Sequence, residues 1–75
     1  MKLGIIGSGN IVVDCLDAVK NIEGIELAGI CVREKSLDKG KELAEKYSIS
    51  KVYTEYEEIL NDKNIDTVYI GIVNN

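Results

Sequence analysis

The sequence contains no histidine, proline, tryptophan or phenylalanine in its 75 residues. Without histidine, this stretch of chain has no imidazole to act as a base near neutral pH, and the commonest zinc-site patterns are excluded with it. No metal site is expected. Aromatic packing falls to Tyr47, Tyr53, Tyr56 and Tyr69, all four expected in the core or half-buried. Cysteine is scarce, and Cys15 and Cys31 form no Cys-x-x-Cys pair. With no export signal, both read as reduced thiols in a cytoplasmic protein, packed as small hydrophobes. Basic residues number 9 against 13 acidic ones, for a net charge of −4. They form no polybasic run, and an acidic surface repels phosphate backbones at long range, so nucleic acid is not an expected partner. No apolar run approaches the roughly 18 residues of a membrane span. The start, Met1 to Ile6, is too short for a signal-peptide core, and no membrane partner is expected.

What is present suits one small domain. The hydrophobic fraction of 45% is ordinary for a globular chain. A domain of this size buries only about 60–65% of the surface its unfolded chain exposes, so its stability is expected to be marginal.

Apolar runs alternate with amphipathic stretches. Lys2 to Ile6 reads as a buried strand stopped by Gly7-Ser8-Gly9. Asn10 to Lys20 reads as a helix, with Ile11, Leu16 and Val19 as its apolar side and a break over Asn21 to Gly24. Ile25 to Val32 is a second strand. A second helix follows, with Ser36 as its N-cap, Leu37, Leu43, Ala44 and Tyr47 on one face, and Gly40 weakening its interior by roughly 1 kcal/mol. Lys51-Val52-Tyr53 reads as a very short strand. Thr54 is the expected cap of a third helix that opens on Glu55, Glu57 and Glu58 and buries Ile59 and Leu60. Ile65 to Val73 is a nearly continuous apolar strand. Such strands separated by helices predict a doubly wound α/β fold: a parallel sheet of order 3-2-1-4 with helices on both faces, a truncated Rossmann arrangement. The expected domain assignment is residues 1–75 as a partial dinucleotide-binding domain, with any substrate domain outside this chain.

The informative motif is Gly7-Ser8-Gly9-Asn10-Ile11-Val12, between the first strand and the first helix. It is a Gly-x-Gly-x-x-Gly fingerprint with Val12 at the third glycine position. Gly7 permits the tight turn out of the strand. Gly9 has no side chain to block a pyrophosphate, and the helix beginning near Asn10 points free N–H groups and its positive dipole end at that group. Val12 is expected to displace the helix slightly. At the end of the second strand, where NAD-preferring folds place an acid for the ribose hydroxyls, stands Val32, followed by Arg33 with Lys35 and Ser36 close by. Arg33 can fork onto a 2′-phosphate and stack on adenine, which favours NADP over NAD, although Glu34 would supply an acid on a small register shift. No Walker lysine follows the glycine turn, and Glu57 and Glu58 diverge on a helix, so neither phosphate hydrolysis nor paired-carboxylate catalysis is indicated.

These segments resemble the glucose–fructose oxidoreductase, inositol dehydrogenase and MocA family. Gly4 to Ile11 looks like its opening, Glu42 to Tyr47 its second helix, Val52 to Leu60 its short strand and third helix, and Asp66 to Ile70 its fourth strand. The resemblance implies NAD(P)-dependent oxidation or reduction of sugars, polyols or related carbonyl compounds. It implies a second, C-terminal substrate domain and a catalytic lysine in a Glu-Lys-Pro motif beyond this chain, so no catalytic residue is expected here. It also implies a cofactor contact for Asn74. Val12, and Val73 where the family commonly has proline, depart from its pattern. The expected cofactor-binding set is Gly7, Ser8, Gly9, Asn10, Ile11, Val32, Arg33 and Asn74. The alternative reading is a non-catalytic nucleotide-binding regulatory module or a degenerate truncated protein. The outer edge of the strand 66–72, with no proline or inward charge to blunt it, predicts a homodimer of this chain.

Overall fold

The computed structural model describes residues 1–71. Four parallel strands lie in the order β3-β2-β1-β4, formed by β1 (Lys2–Ile6), β2 (Glu26–Cys31), β3 (Val52–Tyr53) and β4 (Thr67–Ile70). The helices are α1 (Asn10–Val19), α2 (Leu37–Tyr47) and α3 (Tyr56–Leu60), with a 3-10 turn over Glu34–Ser36 before α2. The expected strand order and doubly wound class are those observed.

Strand alternation divides the core between the two faces of the sheet. On one face Leu3, Ile5, Leu27, Ile30 and Val32 pack with Val12 and Leu16 of α1 and Leu43 and Tyr47 of α2. On the other, Ile6 and Cys31 pack with Ile59 of α3, and Tyr53, Ile65 and Val68 lie against them. The register slips between Leu3 and Gly4, so Leu27 and Ile30 reach the same face despite their odd spacing. Gly4 and Gly29 are cross-strand partners. A Cβ on either would come within 3.0–3.1 Å of Ile65, whose side chain fills the shallow spot they leave.

Several local expectations are corrected. In α1 the buried residues are Val12 and Leu16, and Ile11 is 44% exposed, because the helix is turned one residue from the expected phase. Ser36 stands at the N-cap position of α2 but makes no side-chain capping bond. The 3-10 turn does part of that work through the backbone, since the N–H of Leu37, the first residue of α2, donates to Glu34 O. Thr54 is likewise not a cap, since Glu55 occupies that position before α3. Leu60 is 61% exposed, because α3 is a five-residue helix that buries only Ile59. Tyr47 is buried and Tyr53 half-buried, their hydroxyls donating to Asp17 and Asp62 at 2.5 Å, whereas Tyr56 and Tyr69 are exposed. Gly40, which appeared only to weaken α2, has a packing reason: a Cβ there would sit 2.7 Å from Val32 Cγ2.

β4 pairs with β1 on one side, and among the described residues no strand covers its other side. Ile70 at its end is 63% exposed, although Val68 packs against the second core cluster. The expected continuation of this strand through Ile72 and Val73, and the site residue Asn74, lie outside the described residues.

Candidate functional site

The C-terminal ends of β1, β2 and β4 meet at a cleft of about 250 Å³. Open α/β sheets place their ligands at this end of the strands, where the crossovers on either side of β1 lead in opposite directions. One wall is the turn Gly7-Ser8-Gly9, with Ile6 beneath it; the opposite wall is Cys31, Val32, Arg33, Lys35 and Ser36; Tyr56 and Gly71 close the ends.

Each part is held by backbone bonds. Gly7 N–H donates to Cys31 O at 2.8 Å, tying the turn to β2, and Gly71 N–H donates to Ile6 O at 2.9 Å, tying in the end of β4. Gly7 has φ +121°, a conformation that side chains rarely adopt, and a Cβ there would also lie 2.7 Å from Gly71 O. Gly9 differs: a Cβ there would meet nothing within 4 Å, so its place in the wall faces open space.

Gly9 is also the N-cap of α1. The first bond into the helix runs from Val13 N–H to Gly9 O at 3.1 Å, and no side chain caps this end. The N–H groups of Asn10, Ile11 and Val12 therefore have no partner in the helix. The first turn of α1 contains no acidic residue, whereas α2 has Asp38 and α3 has Glu57 and Glu58. The positive end of α1 is thus not neutralised by its own chain.

Val12 does not push α1 away in the manner expected of a missing third glycine. It is fully buried, and its Cγ2 lies 3.0 Å from where a Cβ on Gly7 would be and 2.6 Å from one on Gly71. The valine fills the space left by two glycines, so the close packing survives with the large and small partners exchanged.

At the other wall, Val32 is buried with its side chain against Gly40, and the exposed Arg33 follows it. Glu34 begins the 3-10 turn and does not line the cleft, whereas Lys35 and Ser36 do. Cys31 sits beneath them; burial pushes its thiol pKa up, and the Glu55 and Glu58 carboxylates push the same way, so it stays a neutral thiol.

Of the expected site residues, Gly7, Ser8, Gly9, Val32 and Arg33 line the cleft. Asn10 and Ile11 do not line it and bring only backbone N–H groups at the helix start. Ile6, Cys31, Tyr56 and Gly71 line it without having been expected there. For Tyr56 a signal existed: it follows a short parallel strand, at the sheet end where ligands bind.

Comparison with known proteins agrees with this geometry. The oxidoreductase family with an NAD-binding Rossmann fold matches residues 1–75. A trans-1,2-dihydrobenzene-1,2-diol dehydrogenase of Xenopus tropicalis is 31% identical over 72 residues, 96% of this chain and 22% of that protein. Among solved structures, a probable dehydrogenase from Thermotoga maritima superposes with a TM-score of 0.79 at 31% identity, over 93% of this chain and 20% of that one. A 3-ketoreductase from Actinomadura kijaniata, in complex with NADP and TDP-benzene, superposes with a TM-score of 0.84 at 25% identity, over 96% of this chain and 22% of that one. The chain therefore spans about a fifth of the length of the relatives it matches.

Proposed function

Since this chain belongs to the oxidoreductase family with an NAD-binding Rossmann fold, that of glucose–fructose oxidoreductase, inositol dehydrogenase and MocA, we propose that it is the cofactor-holding part of an NADP-dependent enzyme. The reaction would move hydride between the nicotinamide and a sugar, polyol or related carbonyl compound. The substrate domain and the catalytic groups would lie outside these residues. When bound, the nicotinamide supplies the hydride chemistry; the residues here bind and orient.

The observation that carries this reading is the pairing of two unlike walls across one cleft. The backbone of Ser8 and Gly9 lines the cleft and leads into the start of α1, whose first N–H groups have no partner in the helix, an end suited to a pyrophosphate. Gly9 supports the fit, because the space a Cβ would take there is open. The other wall suits a 2′-phosphate. Val32 turns its side chain inward, Glu34 is off the cleft, and Arg33, Lys35 and Ser36 line it. Two cations and a hydroxyl with no carboxylate in the same wall favour NADP over NAD. Asn74 is proposed to approach the nicotinamide side, on the strength of the family pattern.

The test is cofactor discrimination by Arg33→Ala. Hydrogen bonds to charged groups contribute roughly 1.5–3 kcal/mol, so NADP affinity should fall by about ten- to a hundredfold while NAD affinity barely changes. Equal losses for both cofactors would reduce Arg33 to an adenine contact, and no loss for either would remove it from the site.

As to partners, the uncovered side of β4 is proposed to pair two copies of the chain about a two-fold axis. Thr67 to Ile70 of each copy would run antiparallel, giving one continuous sheet.

A further inference from the structure

A second cleft, of about 340 Å³, adjoins the first and is lined by Arg33, Thr54, Glu55, Tyr56 and Glu57. Arg33 and Tyr56 are the residues common to both clefts, so they stand at the passage between them. We propose that Tyr56 is the second wall of an adenine subsite, holding the base of the dinucleotide against Arg33. The proposal rests on the cofactor reading above and assigns a residue to it.

Three features lead to Tyr56. It is 47% exposed, although tyrosine commonly buries its ring, and it is exposed beside a cleft and not on an isolated patch. Its ring is a flat apolar surface, and the guanidinium of Arg33 is a flat cation; these are the two planes that stack on a nucleobase. Finally, the two clefts differ in charge. The first has Arg33, Lys35 and the glycine turn, and suits phosphates. The second has Glu55 and Glu57 on its rim, which repel a phosphate but tolerate an uncharged base. A ligand with phosphates at one end of the passage and an uncharged base within it matches both. Tyr56 makes no side-chain hydrogen bond within the described residues, and its hydroxyl is not needed for stacking.

The experiment uses adenosine 2′,5′-bisphosphate, which carries the adenine and the 2′-phosphate but no nicotinamide, with ribose 5-phosphate as the base-free control. The 75-residue chain is titrated as wild type, Tyr56→Phe and Tyr56→Ala, by calorimetry, and the tyrosine ring protons are followed by NMR. Base–aromatic stacking measured by alanine substitution corresponds to roughly five- to a hundredfold in affinity. Tyr56→Ala should therefore bind adenosine bisphosphate at least fivefold more weakly, and Tyr56→Phe should bind as wild type does. The Tyr56 ring signals should move with adenosine bisphosphate and not with ribose 5-phosphate. Because Tyr56 is exposed, neither variant should lower the melting temperature, which is checked first; if Tyr56→Ala is unfolded, Tyr56→Phe and the wild-type ring shifts decide. Wild-type affinity in Tyr56→Ala, or unmoved Tyr56 signals on saturation, overturns the stacking proposal and leaves the cleft intact. If wild type binds neither NADPH nor adenosine bisphosphate, the cofactor reading itself falls, and the subsite with it.

Discussion

Asp17, Asp62 and Asp66 show how single side chains tie distant segments of this small chain together. Asp17 on α1 accepts from the Tyr47 hydroxyl at the end of α2, and Asp62 after α3 accepts from the Tyr53 hydroxyl on β3. The Asp66 carboxylate accepts from the backbone N–H of Lys2 at the start of β1. Each bond favours the charged carboxylate and holds its pKa below the ordinary value near 3.8. Groups with lowered folded values contribute stability that is present above the unfolded pKa and is lost as pH falls through the folded one. The two tyrosines are raised above 10 by the same bonds, so their share is lost only as pH rises through those raised values. We therefore expect the melting temperature to hold level near neutrality and to drop as pH falls below about 4, towards the lowered values of these carboxylates. Melts of the Asp17→Asn, Asp62→Asn double variant should show a flatter acid limb. An unchanged acid limb in that variant would mean that these carboxylates are not the groups responsible.

At the scale of elements, the contact of α1 with the end of β4 depends on Val12 facing two glycines. Gly71→Ala places a Cβ 2.6 Å from Val12 Cγ2. Overpacking of this kind typically costs 1–3 kcal/mol, and we expect urea unfolding to show a loss in that range. Val12→Ala combined with Gly71→Ala should lose less than the sum of the two single changes, because truncating Val12 makes room for the methyl added at Gly71, which in turn fills part of the space vacated. Additive losses would mean that the two residues do not compensate. This contact also marks where the sequence stopped being legible. The strands, their order and the Gly7 to Gly9 turn could be read because apolar runs and the glycine requirement are local. The exchange of large and small residues between positions 12 and 71 could not, since it joins two ends of the domain. Periodicity points to Ile11 where Val12 is buried, because three apolar positions do not fix the phase of a short helix to one residue. The caps at Ser36 and Thr54 failed because a 3-10 turn and a one-residue offset set those helix starts. Leu60 and Tyr56 are exposed against expectation because a five-residue helix does not declare from its own sequence which side is covered.

For the whole molecule, one edge of the sheet and one cleft dominate what can be expected. β4 has no strand on its outer side among the described residues, and Tyr69 and Ile70 are exposed on it. An unblunted apolar edge is a template for pairing, and light scattering at micromolar concentration should report a dimer whose amides at residues 67–70 exchange slowly. A monomer with rapidly exchanging amides there would refute the pairing, and a dimer with another interface would replace it. The cleft is defined by a turn that leaves open space at Gly9 and runs directly into a helix start whose first N–H groups have no partner in the helix. The most direct test is titration of the folded chain and its Gly9→Val variant with NADPH, followed by ligand fluorescence. A Cβ at Gly9 meets no protein atom within 4 Å, so the variant should fold as wild type does, and only the approach of the pyrophosphate should suffer. We expect saturable binding by wild type and at least tenfold weaker binding by the variant at equal thermal stability. Equal affinity in the two proteins would contradict a pyrophosphate site at Gly9.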